Sequence, residues 1–233
     1  MQIKNFFISE NKKNIQQNKI RLNHRKIVSK LNPLNIHSKK IMNDYQKFGL
    51  NYFDNSKIGI GYGNYVKDNR FKKPIAKILN YFKIKSDSKI LEIGCAKGFI
   101  LDEFQKKRMD VYGVDVSKYA IKTSLETVRN KIILKNIAKK KFFRDNYFDF
   151  IICKEVLPHL SKKEIKQLIV NINAISNDNK KIYFIIQVPS MKKFKQNFKN
   201  WDVTHKCIMT RIEWIEFLKK NKFKGKVSFK ELV

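Results

Sequence analysis

The chain has 233 residues, which is long enough for one α/β domain, and its apolar content, 42% hydrophobic with 18 Phe, indicates a globular rather than a disordered protein. No apolar run approaches the ~20 residues of a membrane span, and the apolar stretch at the N-terminus is too short for a secretory signal. Its three cysteines (Cys95, Cys153 and Cys207) are odd in number and far apart. That spacing excludes a disulfide framework and a zinc ribbon, and we expect a reduced, cytoplasmic protein.

The formal net charge of +31 raises the question of nucleic-acid binding. The basic residues are spread along the whole chain, and the composition is rich in Lys, Asn and Ile, as is typical of an AT-rich genome. Dedicated nucleic-acid readers rely on Arg, whose planar group makes bidentate contacts to bases and phosphates. The distribution of the positive charge therefore favours codon bias over a dedicated nucleic-acid-binding surface as its cause. Such a surface will still bind any polyanion weakly.

The first part of the chain divides by composition. Residues 1–44 are basic and Asn-rich with little periodic apolar pattern, so we expect a flexible N-terminal extension there. Residues 45–73 are aromatic and Gly-rich, and we interpret them as an N-terminal flap of the domain that fills residues 45–233. A helix is predicted over 74–82, where Pro suits the first turn.

Short apolar strands then alternate with helical segments. The predicted strands cover 89–93, 111–116, 131–134, 148–153, 181–188 and 226–232, and the predicted helices cover 99–108, 117–130, 161–176 and 211–221. This alternation predicts an α/β fold with a doubly wound, mostly parallel sheet of six to seven strands.

A glycine loop lies between the first strand and its helix, in the stretch ILEIGCAKGFI at 90–100. Gly94 and Gly98 suit a tight turn or a close backbone approach to a ligand. Asp115 ends the second strand, where a carboxylate can accept hydrogen bonds from both hydroxyls of a ribose. Ligands of such sheets bind beyond the carboxyl ends of the strands, so the loop and Asp115 together predict a nucleotide-type cofactor site.

Three segments carry a resemblance to a known family. LEIGCAKG, VYGVDVS and FDFIICKEVLPHL resemble the first, second and fourth motifs of class I S-adenosylmethionine-dependent methyltransferases, and the likeness extends over about residues 45–233. The first motif begins ExGxxxG, unlike the GxGxxG of nicotinamide-binding dehydrogenases. The resemblance implies a Rossmann-like fold, S-adenosyl-L-methionine as cofactor and methyl transfer. The C-terminus is short for the family's antiparallel hairpin, so we expect one strand to be missing or displaced.

The resemblance also implies roles for single residues. Those expected at the cofactor are Tyr65, Arg70, Glu92, Gly94, Cys95, Ala96, Gly98, Asp115, Val116, Asn136, Ile137, Lys154 and Glu155. Among them, Asp115 is similar to the family's ribose ligand and Glu92 to the acidic residue that orients the loop. Arg70, with Tyr62 and Tyr65, resembles a flap whose basic or phenolic groups reach the cofactor carboxylate.

Two histidines are candidates for a catalytic base. His159 follows the fourth strand in EVLPHL, where it could equally be a helix-entry residue that hydrogen-bonds the neighbouring loop. His205 lies in the polar stretch WDVTHKC before the last helix, which suggests a wall on the acceptor side, although Asp202 and Thr204 also suit a turn and a cap. No spacing of His, Asp and Glu indicates a catalytic metal, so no metal is predicted.

The function predicted from these residues is methyl transfer to oxygen or nitrogen of a small molecule or a sugar precursor. The sugar link comes from a likeness of GYGNY…LEIGCAKGF to enzymes of polysaccharide biosynthesis. The first alternative is an RNA methyltransferase that uses the basic extension as a substrate arm. The second is a domain that has kept the fold but only binds a partner.

Overall fold

The computed structural model describes residues 1–7 and 37–232. Six parallel strands form one sheet in the order β3-β2-β1-β4-β5-β6. They are β1 (Lys89–Ile93), β2 (Asp110–Asp115), β3 (Ile132–Leu134), β4 (Phe150–Lys154), β5 (Ile182–Pro189) and β6 (Lys226–Leu232). The order reverses between β1 and β4, which confirms the predicted doubly wound α/β sheet.

Helices cover the sheet on both faces. They are α1 (Lys39–Gln46), α2 (Leu50–Phe53), α3 (Lys72–Tyr81), α4 (Phe99–Gln105), α5 (Lys118–Lys122), α6 (Glu126–Arg129), α7 (Lys162–Ile175), α8 (Lys195–Trp201) and α9 (Arg211–Lys220). The helices α7 and α9 begin with capping boxes, in which Ser161 and Thr210 each exchange hydrogen bonds with the Glu three residues later. Within the described ranges, no helix is long and apolar enough to cross a membrane.

The core has two halves because the central strands are buried on both faces. In β4, Ile151 and Cys153 pack in the half that α7 and α9 cover, whereas Phe150 and Ile152 pack in the half that α3 and α4 cover. All four side chains are fully buried. A parallel strand that is covered on both sides needs such a continuous apolar run.

The last strand differs from the hairpin that is usual in the family. β6 pairs directly with β5 and in parallel, from Tyr183 opposite Lys226 to Pro189 opposite Leu232. No antiparallel seventh strand occurs among residues 1–7 and 37–232. The outer edge of β6 is instead met by the N-terminus, where Ile3 N–H donates to Val227 O at 2.8 Å.

The two ends of the expected extension (1–44) pack against the domain, and the flexibility of the extension stays a prediction. Residues 1–7 add to the edge of β6 and place the Phe6 ring 5.8 Å from the Tyr183 ring. The boundary at residue 44 falls inside α1, which Ser38 caps. Burial of the apolar side chains in these two stretches fixes them. Residues 8–36 lie outside the described part of the chain.

The prediction of a single helix over 117–130 is wrong. Ser117 does cap a helix, through Ala120 N–H, but the segment breaks into α5 and α6. The break occurs because Leu125 N–H donates to Lys97 O in the glycine loop instead of to a carbonyl one turn back. The loop between β1 and α4 is thereby tied to the helices that follow β2.

Candidate functional site

The glycine loop has a backbone that few residues adopt. Gly94, Ala96 and Gly98 all have positive φ, at 70°, 49° and 77°. A Cβ on Gly94 would lie 2.2 Å from Val156 Cγ2, and one on Gly98 would lie 2.6 Å from Val128 Cγ2. Both glycines are therefore required by conformation and by close packing, and the loop presents backbone rather than side chains at the carboxyl edge of the sheet.

Asp115 connects this loop to the end of β2. Its Oδ2 accepts from Ala96 N–H at 2.7 Å, and its Oδ1 accepts from Ser117 N–H at 2.8 Å. Burial raises the pKa of Asp115, and the N–H groups of Ser117 and Ala96 oppose that rise. Each carboxylate oxygen has a second lone pair. The group can therefore still accept hydrogen bonds from two adjacent hydroxyls.

A buried ion pair holds the N-terminal flap against the loop. Lys97 Nζ lies 2.6 Å from Asp54 Oδ2 and donates to Tyr65 O at 3.0 Å. Asp54 also accepts from Tyr119 O–H at 2.7 Å and from Tyr65 N–H at 3.0 Å. Burial raises the pKa of Asp54, but the hydrogen bonds from Lys97, Tyr119 and Tyr65 outweigh it and lower the pKa. The flap thus closes over the carboxyl edge of the sheet.

One pocket lies between the loop and the flap. Nine of the predicted site residues line it: Gly94, Ala96, Asp115, Val116, Asn136, Ile137, Lys154, Glu155 and His159. Flap and α7 residues complete the walls, together with Lys206. The structure therefore brings together both ends of the expected site, the loop with the end of β2 and the segment after β4.

Four other predicted cofactor residues lie behind the pocket. Cys95 packs its thiol into the core beside Gly113, and burial raises the pKa of that thiol. Gly98 caps the start of α4. Tyr65 stacks on Phe99 with ring centroids 4.8 Å apart. Glu92 is buried, and burial raises its pKa well above the ordinary value.

Arg70 is the predicted residue that the structure places furthest from its expected role. It lies outside the pocket lining, on the surface, where its Nε donates to Asp68 Oδ1 at 2.7 Å. The guanidinium also lies 5.6 Å from the Phe71 ring centroid. In this conformation the flap supplies Tyr62 and not Arg70 to the pocket.

The far end of the pocket has aromatic walls. Phe48 lies perpendicular to His159 with ring centroids 5.4 Å apart, and Tyr52 lies 6.3 Å from the same ring. Tyr62 forms part of the rim and is half exposed. Phe48 and Tyr52 were not predicted as site residues. Their only signal is the aromatic-rich composition of 45–53, because the contact with His159 is between elements far apart in the chain.

Glu155 sits at the base of the pocket in a charged network. Its Oε1 accepts from Lys154 at 2.7 Å and from Lys230 at 3.0 Å, and its Oε2 accepts from Gln187 at 2.7 Å. Burial raises the pKa of Glu155, but the two lysines outweigh it and hold the pKa far below the ordinary value. The carboxylate is thus ionised and held by groups from three adjacent strands.

His159 ends a short 3₁₀ turn and hydrogen-bonds the loop before α9. Its Nδ1 lies 2.7 Å from Thr204 Oγ1, and Thr204 Oγ1 donates to Asp202 Oδ1 at 2.6 Å. Asp202 Oδ2 also accepts from Tyr52 O–H at 3.3 Å. The polar stretch before α9 therefore does form a wall beside His159. Thr204 contacts that histidine directly, and Asp202 is linked to it through Thr204.

His205 occupies a different environment from His159. It is fully buried, it does not line the pocket, and its ring stacks on Phe198 with centroids 4.5 Å apart. Burial lowers the pKa of His205 to about 3, although Asp202 opposes the shift. His205 is therefore neutral at physiological pH and cannot reach an acceptor in the pocket.

Folding also creates a group that the sequence does not indicate. His159, Asp202 and His205 each offer one ligand atom, and these atoms lie within 4.8 Å of one another. Residue 159 is far from 202 and 205 in the chain, so no local spacing could show it. The prediction of no metal stays a prediction.

The residues at the loop end of the pocket fit the cofactor that the motifs imply. Glu92 Oε2 is buried and has no hydrogen-bond partner among the described residues, which leaves a carboxylate oxygen for an amino group or a bridging water. Gly94 lines the pocket with backbone alone, because Val156 occupies the space where a Cβ would lie. Asp115 retains lone pairs for a ribose, and the exposed side chain of Val116 can cover an adenine face.

Comparisons with known proteins agree with this geometry. A family model described as a methyltransferase domain matches residues 66–224. Two curated relatives, the ubiquinone biosynthesis O-methyltransferases of two strains of Rickettsia bellii, are 28% identical over 123 residues, which is 48% of this chain and 51% of each relative. The chain thus spans about half the length of the curated relatives it matches.

Solved structures show the same fold. An S-adenosylmethionine-dependent methyltransferase from Archaeoglobus fulgidus aligns with a TM-score of 0.50 and 18% identity, over 79% of this chain and 74% of its own. Phosphoethanolamine N-methyltransferase 2 of Haemonchus contortus, in complex with phosphomonomethylethanolamine and S-adenosylhomocysteine, aligns with a TM-score of 0.52 and 19% identity, over 78% of this chain and 40% of its own.

Proposed function

This chain belongs to the S-adenosylmethionine-dependent methyltransferase family, and on that premise we propose that it methylates an oxygen or nitrogen atom of a small-molecule acceptor held in the aromatic end of the pocket. The observation that carries the proposal is that one pocket joins the glycine loop to Phe48, Tyr52, Tyr62 and His159. Aromatic walls suit the apolar face of a ring-shaped acceptor.

The cofactor supplies a methyl group on a positively charged sulfur, so the protein's main task is alignment. Gly94, Asp115 and Val116 would hold the cofactor, and Glu92 would orient the loop from behind. His159 lines the acceptor end and would take the proton of the acceptor as methyl transfer proceeds. Burial lowers the pKa of His159, while Asp202 and Glu155 oppose the shift. The imidazole is therefore neutral near pH 7, as a base must be.

An oxygen acceptor is the first choice. The curated relatives are named as O-methyltransferases, and a hydroxyl acceptor needs a base near the position of His159. The sugar-precursor acceptor rests on the likeness of the sequence motifs to enzymes of polysaccharide biosynthesis. Charges on the pocket lining balance, with Lys135, Lys154 and Lys206 against Asp115, Glu155 and Glu164, so the lining itself does not select an anion.

The RNA alternative predicts a different salt dependence. An RNA substrate bound through many phosphate contacts would lose affinity steeply with salt yet remain tightly bound at physiological salt, and deletion of residues 1–40 would weaken it. We expect the wild-type protein to bind RNA only at low salt, as its net charge of +31 alone would cause. RNA binding that persists at physiological salt and falls on the deletion would favour the alternative.

The experiment is a calorimetric titration of S-adenosylmethionine at physiological salt with wild type, Asp115→Ala and Asp110→Ala. Asp110 lies at the other end of the same strand, where it accepts from Tyr112 O–H at 2.9 Å, and serves as the matched control. We expect Asp115→Ala to weaken binding by about 1–3 kcal/mol and Asp110→Ala to leave it unchanged. Equal affinity in all three variants would contradict the ribose role of Asp115.

The acceptor class is tested with radiolabelled cofactor. Label from the methyl group is followed into a set of phenols, amines and nucleotide sugars and, separately, into total RNA. Label in any small molecule supports the proposal. Label in RNA alone would replace it by the RNA alternative, and cofactor binding without label anywhere would favour a binding domain.

A further inference from the structure

We infer that Thr204 and Asp202 are positioning residues that fix the tautomer of His159, so that the imidazole presents the unprotonated Nε2 to the acceptor. The inference deepens the proposed function, because it assumes that His159 is the base of the methyl transfer. It rests on the chain of contacts from Asp202 through Thr204 to His159.

The direction of each hydrogen bond follows from counting hydrogens. The Thr204 hydroxyl has one hydrogen, and the ionised carboxylate of Asp202, 2.6 Å away, can only accept it. Thr204 Oγ1 therefore must accept in its 2.7 Å contact with His159, and the donor is His159 Nδ1–H. A neutral imidazole carries one proton on nitrogen, so the lone pair is on Nε2.

Asp202 is held in the ionised form that this direction requires. Burial raises the pKa of its carboxyl, but the charges that His205 and His159 carry when protonated and the two hydrogen bonds from Thr204 outweigh burial and lower the pKa. Near pH 7, where both imidazoles are uncharged, the hydrogen bonds hold the carboxylate. Thr204 N–H donates to Asp202 Oδ1 at 3.0 Å, and Tyr52 O–H donates to Oδ2 at 3.3 Å. Asp202 and Thr204 are nearly inaccessible to solvent, at 4% and 6% exposure, so water does not compete for these bonds.

The ring of His159 is also fixed in position. Phe48 contacts it edge-on with an interplanar angle of 90°, and His205 lies behind it with ring centroids 4.8 Å apart. The ring can therefore neither swing away nor exchange its two nitrogens without breaking the bond to Thr204. This is the arrangement that a base needs if the same nitrogen is to meet each acceptor.

The proton balance of the step is simple. As the acceptor atom forms its bond to the methyl carbon, the methyl–sulfur bond breaks and its electron pair stays on sulfur. The acceptor proton moves to Nε2 of His159. The resulting imidazolium donates through Nδ1–H to Thr204, whose hydroxyl donates to Asp202, and the carboxylate compensates the new positive charge. The proton then leaves Nε2 to water after the methylated product departs.

The first test needs no acceptor. Long-range ¹H–¹⁵N NMR spectra of the folded protein distinguish a protonated from an unprotonated ring nitrogen for each histidine. We expect Nδ1 of His159 to be the protonated nitrogen in wild type and in Thr204→Ser, which keeps the hydroxyl. In Thr204→Val, which has the same shape without the hydroxyl, we expect the Nε2–H tautomer to gain population. A wild-type spectrum with the proton on Nε2 overturns the inference whether or not the variants fold.

The second test is kinetic and uses an acceptor from the labelling experiment. We expect Thr204→Val to lower kcat by about 10- to 100-fold, because the imidazolium loses a hydrogen bond to a charged group, and Thr204→Ser to recover most of that loss. Affinity for S-adenosylmethionine stays at the wild-type value in both. Unchanged kcat in Thr204→Val, with wild type active, refutes the positioning role and leaves the proposed function intact. An inactive wild type with the expected NMR tautomer refutes the proposed function instead.

The pH profile separates positioning from a loss of packing. The charged or titratable side chains that face His159 are those of Asp202, Glu155, Lys206, His205 and Tyr52, and the backbone of Glu155 also hydrogen-bonds the histidine. Without Thr204 the link to Asp202 is lost, so the pKa of His159 falls further and the ascending limb of kcat/KM moves to lower pH. A reduced plateau with an unmoved limb would indicate packing alone.

A metal site is the alternative role for His159 and Asp202, together with His205. If His159, Asp202 and His205 held an ion, purified protein would contain stoichiometric zinc or another divalent metal, and a chelator would abolish activity. In that case the bonds through Thr204 would not survive, and the inference would be wrong. We expect activity to be unchanged by chelation.

Discussion

Replacing Lys97 tests whether the flap is held over the cofactor loop by a buried ion pair. Lys97→Met keeps the length of the aliphatic chain but removes the ammonium that bridges Asp54 and Tyr65 O. Asp54 would retain only the hydrogen bonds from Tyr119 and Tyr65 N–H. A buried charge that has lost its partner is strongly destabilising because it remains out of water.

The expected loss of stability follows from the solvent exposure of the two paired side chains. Loss of one partner of a fully buried pair costs ~3–5 kcal/mol. The Asp54 side chain is 20% exposed and Lys97 is 9% exposed, so water can reach the orphaned carboxylate in part. We therefore expect the free energy of unfolding to fall by ~2–3 kcal/mol, in line with loss of a hydrogen-bonded charge. The affinity for S-adenosylmethionine should fall as well, since Lys97 belongs to the loop that would bind it.

Urea unfolding monitored by circular dichroism measures the effect, and Lys141→Met is the control. Lys141 pairs with Asp145, and both side chains are exposed, at 37% and 60%. We expect that control to cost less than ~1 kcal/mol. Equal losses for the two variants would refute the reasoning, because burial would then not decide the contribution of the ion pair.

The pH dependence gives a second check on the same pair. The folded-state pKa of Asp54 is lowered, so its contribution to stability is fully present above the unfolded pKa of ~3.9. It is lost as the pH falls through the folded pKa. The wild type and Lys97→Met should therefore converge in stability under acid, and a constant difference down to strongly acidic pH would speak against the pairing.

Two further predictions concern the loop and the carboxylate behind it. Gly94→Ala forces a Cβ to within 2.2 Å of Val156 Cγ2 at a φ of +70°, so we expect the free energy of unfolding in urea to fall by ~2–4 kcal/mol. Adding Val156→Ala should relieve the steric clash and leave the ~1–2 kcal/mol of backbone strain. Burial raises the pKa of Glu92 well above its ordinary value, so the folded state binds more protons than the unfolded state between the two pKa values and stability falls as pH rises through that window. Glu92→Gln should remove this fall while it weakens cofactor binding, and an unchanged slope would mean that Glu92 is solvated.

The sequence was sufficient for the sheet and for one half of the site because both depend on local patterns. Buried strands of a parallel sheet are continuous apolar runs, and KILEI at 89–93 was predicted with the bounds that the structure shows. The glycine loop and the acidic end of β2 are adjacent in a fixed way in any doubly wound sheet. Gly94 and Asp115 therefore meet in space for topological reasons, without any information about side-chain packing.

The prediction of one helix over 117–130 failed because a distant contact competes with the local pattern. The segment has a helical composition, yet Leu125 N–H is taken by Lys97 O and the helix breaks. That outcome cannot be read from spacing, because Lys97 lies in the glycine loop and not in the segment. Arg70 stays a predicted carboxylate ligand, and in this structure Asp68, two residues earlier, pairs with it at the surface.

The acceptor end of the pocket depends entirely on such distant contacts. His159 follows β4, Thr204 and Asp202 precede α9, and Phe48 and Tyr52 come from the flap, so three separate parts of the chain must pack before the base has its environment. The cofactor end needs only the loop and β2. A methyltransferase fold can therefore keep its cofactor motifs while the acceptor wall changes freely. If the proposed acceptor end around His159 is correct, substitutions at Phe48 and Tyr52 should change acceptor preference before they change cofactor affinity.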